Sequence, residues 1–327
     1  GGHMVYQGSP AGIADCADSL TAACIFNGKG KEWKALSRPS DARGEALVVR
    51  GAAENNLTGI SVEIPLQRLV CISGVSGSGK STLIREVIYK GVCKALGKGT
   101  QRPGKHKGIE GHEGIEDVIM VDPSPLGNTP RANPVTYIKA FDGIRALFAQ
   151  TPLARLREYT PGTFSFNSGK GRCEACQGEG FEKVEMQFLA DVFVLCPECG
   201  GARYRKEILE ITCSGKTIQQ VLEMTVEEGK QFFEKVPAVG GPLRVLSDIG
   251  LGYLRLGQPL NTLSGGEAQR LKLSAHIIRS RKPHTLLLFD EPTTGLHLYD
   301  IRFLLKTFEK LLQKGHSIIV VEHNLEI

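Results

Sequence analysis

The stretch Gly74-Val75-Ser76-Gly77-Ser78-Gly79-Lys80-Ser81-Thr82 decides the fold. It fits G-x-x-x-x-G-K-[ST] and stands where that chemistry requires, after the apolar run Leu69-Val-Cys-Ile-Ser73 and before the helical pattern Thr82-Leu-Ile-Arg-Glu-Val-Ile88. Glycines let successive backbone N–H groups close on phosphate oxygens, and the helix N-terminus that follows adds positive potential. Gly74, Ser76, Gly77, Ser78 and Gly79 are therefore expected to form the cradle for ATP, with Thr82, at the start of the helix, also among the nucleotide-binding residues. Lys80 is expected to reach the β- and γ-phosphates and Ser81 to ligate Mg2+. A fortuitous glycine loop is the plain alternative, and the order strand, loop, helix counts against it.

Downstream, Leu286-Leu-Leu-Phe-Asp290-Glu291-Pro is an apolar strand ending in two carboxylates. Such a strand is expected to deliver Asp290 to the magnesium shell and Glu291 to the attacking water, the division of labour that phosphoryl transfer to water needs. Alone, Leu263-Ser264-Gly265-Gly266-Glu267-Ala-Gln-Arg270 reads as a bland N-cap turn before a helix. Flanked by the phosphate loop and the carboxylate strand, it resembles the signature motif of ABC-type ATPases. That resemblance implies that the Ser264, Gly265 and Gly266 N–H groups cap the γ-phosphate held by an opposite nucleotide domain. A histidine after a strand is usually a surface residue, but His323, following Ser317-Ile-Ile-Val-Val321, matches the family's switch histidine, which touches the γ-phosphate.

Cys173-Glu-Ala-Cys176 and Cys196-Pro-Glu-Cys199 put two C-x-x-C pairs 19 residues apart. Four thiols at this spacing fit a tetrahedral structural Zn2+ site, each turn bringing two thiolates onto one ion. Redox or iron–sulfur use is the rival reading, and a redox motif needs only one such pair. The other five cysteines (Cys16, Cys24, Cys71, Cys93, Cys213) are isolated and read as packing residues. About 180 residues separate Thr82 from Leu263, so the cysteine module is expected to lie in an inserted domain.

With 327 residues, 41% of them hydrophobic, the chain can build one large domain or two ordinary ones. The formal charge of +5 is modest, and no run of 18 apolar residues occurs. Gly1 to Pro10 has no signal-peptide pattern, so a cytoplasmic location and no membrane partner are expected. Ala46 to Val70 reads as a hairpin or meander with turns at Glu54-Asn-Asn56 and Ile64-Pro65, and Gly99 to Gly114 as an exposed loop. Glu116 to Val121 reads as a strand, Tyr137 to Phe148 as a helix and Ile218 to Lys235 as a helical region. Strand Thr285 to Phe289, helix Asp300 to Gln313 and strand Ser317 to Val321 give a β-α-β rhythm, hence an α/β domain with a parallel sheet.

The sum of motifs resembles the second nucleotide-binding half of the UvrA family, the damage-recognising component of the bacterial excinuclease. The matching segments are Gly74 to Leu83, Ser124 to Pro134, Phe164-Ser-Phe-Asn167, Gly171-Arg-Cys-Glu-Ala-Cys176, Glu185-Met-Gln-Phe188, Leu251 to Gln258, the signature, and Asp290 to His297. The resemblance implies an ABC-type P-loop ATPase with a parallel-sheet core and an inserted zinc-containing signature domain. Its expected divisions are 1–42, the tail of a preceding ATPase domain or a linker; 43–120, with the phosphate loop; 121–255, the insertion; and 256–327, with signature, carboxylate strand and switch histidine. It further implies an ATP hydrolase, not itself a nuclease, that recognises damaged double-stranded DNA in nucleotide excision repair and loads a helicase-like partner. Its ATP sites would be completed by a first nucleotide-binding half or a second protomer. Two other readings stand: a related drug self-resistance protein, and the ATPase of an ABC transporter, against which the cysteine module argues.

Two departures touch that reading. Asp122-Pro123-Ser124-Pro125 replaces the family's Asp-Gln-Ser-Pro, and proline offers no side-chain oxygen to link magnesium to the insertion. Thr160 and Thr163 stand where the family carries basic residues. Lys90, Lys94 and Lys98 share a helix face, with Arg102, Lys105 and Lys107 following, a stripe that reads equally as phosphate-binding or as a solvated face. Lys170 and Arg172 flank the first cysteine pair. The apolar hairpin from Val184 reads either as lying near the duplex or as the module's own core.

Overall fold

The computed structural model describes residues 4–26, 45–99, 101–121, 124, 126, 131–184, 192–279 and 282–323. Pro123 and the hairpin positions from Glu185 to Asp191 lie outside the described residues. In chain order the strands are β1 (Ala46–Ala52), β2 (Ile60–Pro65), β3 (Leu69–Ile72), β4 (Gly108–Glu110), β5 (Asp117–Val121), β6 (Phe181–Val184), β7 (Val192–Leu195), β8 (Thr212–Cys213), β9 (Lys216–Thr217), β10 (Thr285–Asp290) and β11 (Ser317–Val321). The chain divides into two units, residues 1–124 with 280–327, and residues 125–279.

In the first unit β3, β11, β10 and β5 form a parallel sheet in that order. Central strands of a parallel sheet are covered on both faces, so they read as unbroken apolar runs. Every residue of β10 and β11 is buried, and Leu288 stands opposite Ile319 on one side and Met120 on the other. Because the strands are parallel, the loops after β3, β10 and β11 leave at one edge. That edge is where open α/β sheets bind ligands, and it carries Gly74, Asp290 and Glu291, and Glu322 and His323.

The helical segment Thr82–Tyr89 winds with the wide π pattern and continues as the α-helix Lys90–Ala95. Its spacing buries Leu83, Ile84, Val87 and Ile88 in one cluster with Leu286, Leu288, Ile319 and Val321. π turns are rare and gather at functional sites. A second, antiparallel sheet in the order β2-β1-β4 completes this core.

Two sequence expectations need correcting here, and one helix had no sequence sign. Strand β3 does not continue the β1–β2 meander; it joins the parallel sheet beside β11. Within the expected loop Gly99 to Gly114, β4 pairs with β1, Ile109 opposite Val49. Near the N-terminus, Leu20–Ile25 is a short helix that buries Ala22, Ala23 and Cys24 and packs on the helix Leu298–Gln313, with Thr21 Oγ1 3.0 Å from His297 Nε2. Six residues are too few for a periodicity to show.

The second unit is mainly helical around its own core, in which Phe141 meets Phe166 at 5.1 Å between ring centroids and Phe148 meets Phe164 at 5.6 Å. Each such fully buried ring contributes about 1.5–3 kcal/mol of transfer free energy. The helix expected from Tyr137 to Phe148 is broken: Pro134–Tyr137 and Ala140–Ala149 are separated by Lys139, which takes φ 61°. Likewise Ile218–Glu223 and Val226–Phe232 are separate helices, each opened by a capping box, Thr217 with Gln220 and Thr225 with Glu228. The antiparallel pair β6–β7 joins the two cysteine turns. Among the described residues no helix is long and apolar enough to cross a membrane.

Candidate functional site

The phosphate loop is exposed from Ser73 to Ser78 while Lys80 is buried. Lys80 Nζ donates to the carbonyl oxygens of Gly74 at 2.9 Å and Val75 at 2.7 Å, so the ammonium sits inside the loop's curve. The loop is also braced from outside. Asn56 Nδ2 donates to Gly77 O at 2.7 Å. Gly79, at φ 96°, passes so close that a Cβ there would lie 2.7 Å from Leu57 Cδ2. Only glycine tolerates that approach and that dihedral together.

At the end of β10, Asp290 is nearly buried. Ser81 Oγ lies 3.5 Å from Asp290 Oδ1, and Arg85 Nε donates to Asp290 Oδ2 at 2.9 Å. A hydroxyl and a carboxylate converging from the start of the helix after the phosphate loop and from the end of β10 fit the oxygen-donor set of a hard cation such as Mg2+. Arg85 was not singled out by sequence reading, since an arginine on a helix face is ordinary.

Glu291 takes φ 49°, and its N–H donates to Val321 O at 2.9 Å. This left-handed residue turns its side chain toward His323, whose Nε2 lies 3.4 Å from Glu291 Oε1. Both side chains are close to half exposed. Thr294 Oγ1 donates to the other carboxylate oxygen at 3.2 Å. Lys80, Ser81, Asp290, Glu291 and His323 thus all lie at one edge of the sheet, where β3, β10 and β11 end.

In the second unit, Ser264 caps the helix Gly265–Arg279. Its N–H donates to Glu267 Oε2 at 2.7 Å, its hydroxyl donates to the same oxygen at 3.0 Å, and Glu267 N–H returns a 3.4 Å bond to Ser264 Oγ. Tyr253 OH donates to Glu267 Oε1 at 2.5 Å. Burial works against the Glu267 charge, and the bonds from Tyr253 and Ser264 outweigh it, holding the carboxyl below its usual range. Nothing lies within 4 Å of a Cβ placed on Gly265, so the backbone at this helix start is open to approach.

Cys173, Cys176, Cys196 and Cys199 come together, with all four sulfurs within 4.8 Å of one another. Cys173 Sγ is 3.9 Å from Cys196 Sγ, and Cys176 Sγ is 3.6 Å from Cys199 Sγ. A disulfide needs about 2.05 Å, whereas a tetrahedron of metal–sulfur bonds of about 2.3 Å has edges of about 3.8 Å. The four-cysteine cluster therefore fits a zinc site. Gly180 N–H donates to Cys176 Sγ at 3.2 Å, and Gly178, at φ 85°, lies so close to Phe166 that a Cβ would stand 1.9 Å from its carbonyl oxygen. Arg131 pairs with Glu179 at 2.9 Å and ties this turn to the unit's body.

In the basic stripe, Lys90 pairs with Glu86 and Lys98 with Asp117, the pattern of a solvated, ion-paired face. Arg172 Nη1 donates to Asn167 O at 3.0 Å, and Lys170 is exposed. Thr160 N–H donates to Thr163 Oγ1 at 3.2 Å, so these two residues close a turn. Sequence reading missed Asn56, Arg85, Tyr253, Thr293 and Glu322. Only the last carried a visible signal, a carboxylate inside an apolar strand end.

A strand–loop–helix phosphate cradle, a carboxylate strand at the same sheet edge, a capped Ser-Gly-Gly turn and a four-cysteine cluster between them in sequence define the class: an ABC-type ATPase fold with a four-cysteine module. No family model matches the chain. It is 51% identical over 331 residues to UvrABC system protein A of Methanothermobacter thermautotrophicus, covering 100% of this chain and 34% of that protein. To UvrABC system protein A of Aquifex aeolicus it is 51% identical over 331 residues, covering 100% of this chain and 35% of that protein. The crystal structure of UvrA2 from Deinococcus radiodurans superposes with a TM-score of 0.87 at 41% identity, covering 98% of this chain and 38% of that one. The chain belongs to the UvrABC system protein A family. It spans about a third of the length of the curated relatives it matches.

Proposed function

We propose that the chain is an ATP-hydrolysing half of a DNA-damage sensor in nucleotide excision repair, with the four-cysteine insertion facing damaged duplex. The observation that carries this reading is the 51% identity, over 100% of the chain and so across both units, to proteins named UvrABC system protein A. Lys80 and the backbone of Gly74 to Gly79 hold the phosphates of ATP. Ser81 and Asp290 hold Mg2+, which when bound neutralises charge on the transferring phosphoryl group. Glu291 orients and deprotonates the attacking water, and His323, 3.4 Å from it, faces the γ-phosphate. The Ser264-Gly265-Gly266 turn offers its N–H groups to a nucleotide held by a first nucleotide-binding half or a second protomer.

In the insertion, zinc held by Cys173, Cys176, Cys196 and Cys199 fixes the two turns that carry the β6–β7 pair. Lys170 and Arg172 beside the first turn contribute phosphate contacts, and damage is read through duplex shape and deformability. The downstream partner is a helicase-like repair protein. The domain limits follow the sequence reading, with residues 121–255 as the insertion.

The test is a mobility-shift series with lesion-bearing and intact duplexes, with and without ATP and a supplied N-terminal half, at several salt concentrations. Tighter binding to the lesion, weakening steeply with salt, is expected. Equal, weak and salt-insensitive binding to both duplexes would overturn the proposal.

A further inference from the structure

Glu322 is 3% exposed, and none of the roles assigned above uses it. Its carboxylate is nevertheless fully engaged. Oε1 accepts from Thr293 N–H at 2.8 Å and from Thr293 Oγ1 at 2.7 Å, and Oε2 accepts from His323 N–H at 3.1 Å. Its own N–H donates to Ile72 O at 3.3 Å, at the end of β3 just before the phosphate loop. One buried residue therefore joins three segments: its carboxylate ties the loop leaving β10 through Glu291-Pro-Thr293 to the one leaving β11, and its backbone N–H ties both to the end of β3.

The residues on either side show what this junction holds. Glu291 sits at φ 49°, a backbone conformation that residues with a Cβ adopt rarely, and surrounding contacts must over-determine it. Thr293, two residues on, is buried, and both of its donors go to Glu322. On the other side Glu322 fixes the amide of His323, whose ring meets Glu291 at 3.4 Å. Glu322 thus braces from behind the segments that carry both Glu291 and His323. An ionised carboxylate is suited to this task because it accepts from three donors and offers none.

We propose that Glu322 is a positioning residue for ATP hydrolysis, locking Glu291 and His323 in their mutual geometry through Thr293 and the His323 amide. This rests on the hydrolytic role given to Glu291 and His323 above. Glu322→Gln is nearly isosteric and turns one acceptor into a donor facing another donor, so it strains the link without emptying the site. Thr293→Val removes the hydroxyl donor from the other side, and Thr293→Ser restores it.

Steady-state ATP turnover of the chain, assayed with its supplied N-terminal half, should fall roughly a hundredfold in kcat in Glu322→Gln. The KM for MgATP should stay near that of the unsubstituted chain. Thr293→Val should show the same pattern more weakly, and Thr293→Ser should recover it. Unchanged kcat in Glu322→Gln, or a loss confined to KM, would overturn the proposal. The ring resonances of His323 in the NMR spectrum supply a readout independent of turnover, expected to move in Thr293→Val and return in Thr293→Ser. If the unsubstituted chain does not hydrolyse ATP, the proposed function fails, while unmoved His323 resonances would still sink the positioning role by themselves.

Discussion

Arg85 Nε donates to Asp290 Oδ2 at 2.9 Å, placing a guanidinium on the carboxylate that, with Ser81, is proposed to hold magnesium. The arginine is 41% exposed at its side chain and the aspartate 10%. A cation that competes for the same oxygens must work against this pair. Solvent screening keeps the opposition small, about 0.5–1 kcal/mol. Arg85→Ala should therefore raise the affinity for Mg2+ in the presence of ADP by roughly two- to fivefold. Isothermal titration of Mg2+ into the ADP-saturated chain checks this, and weaker Mg2+ binding in the variant would show that Arg85 helps rather than competes.

Lys80 makes the opposite prediction. Its Nζ bonds the carbonyls of Gly74 and Val75 from a buried position, so truncation removes the only positive charge held inside the loop among the described residues. A hydrogen bond to a charged group is worth about 1.5–3 kcal/mol. Lys80→Ala should thus weaken ATP binding by roughly ten- to a hundredfold, measured with a fluorescent ATP analogue. Unfolding by denaturant should change little, because the lysine contacts only its own loop. Retained affinity in this variant would remove the phosphate-cradle assignment.

These two residues also show what a single sequence can disclose. Lys80, Asp290 and the four cysteines were legible because their chemistry demands fixed local spacing. Arg85 and Asn56 were not, and Glu322 showed only as a carboxylate after an apolar run, because each acquires its role only from which strand lies next to which. That β11 sits between β3 and β10 is a long-range fact, invisible in any local window. The same contrast holds for the fold. The β-α-β rhythm disclosed the parallel sheet, and the capping pair Thr225 and Glu228 was a readable restart of the helix. The break at Lys139 had no such sign, since left-handed backbone at a lysine is imposed by tertiary packing. Strand β4, Gly-Ile-Glu, is held by its pairing with β1 and not by its own propensity.

His316 gives a pH prediction with a definite sign. Its Nδ1 accepts from Thr285 N–H at 3.2 Å, linking the starts of β10 and β11, so that nitrogen must carry no proton. Burial first, then Lys314 and His284, push the His316 pKa below the ordinary histidine value. A folded-state pKa below the unfolded one means that the unfolded chain takes up the proton first as the pH falls. Stability is therefore greatest above the ordinary histidine range, near pH 6.5, and is lost as the pH drops through it toward the lower folded value. Urea unfolding at about pH 7.5 and about pH 5.5 should show this loss in the unsubstituted chain and less of it in His316→Gln. An equal loss in both would place the titrating group elsewhere.

The cysteine cluster can be tested from two sides, by a ligand and by the glycine that shapes its turn. Cys176→Ala removes one of four sulfurs and leaves a three-thiol site with an open position, which a structural zinc site does not tolerate. About one zinc per chain is expected in the unsubstituted protein, and close to none in the variant, by elemental analysis after desalting. Gly178→Ala touches no sulfur, yet its Cβ would stand 1.9 Å from Phe166 O at a φ of 85°, so the turn must move off the aromatic core. Strain of this kind costs about 1–3 kcal/mol. That loss should appear as weaker retention of zinc against a chelator, with stoichiometry preserved at saturating metal. Because the phosphate loop belongs to a unit with its own core, nucleotide binding should survive both substitutions. If Cys176→Ala kept its zinc, the four sulfurs would not be the ligands. If Gly178→Ala held zinc as tightly as the unsubstituted chain, the approach to Phe166 would not be what sets the turn.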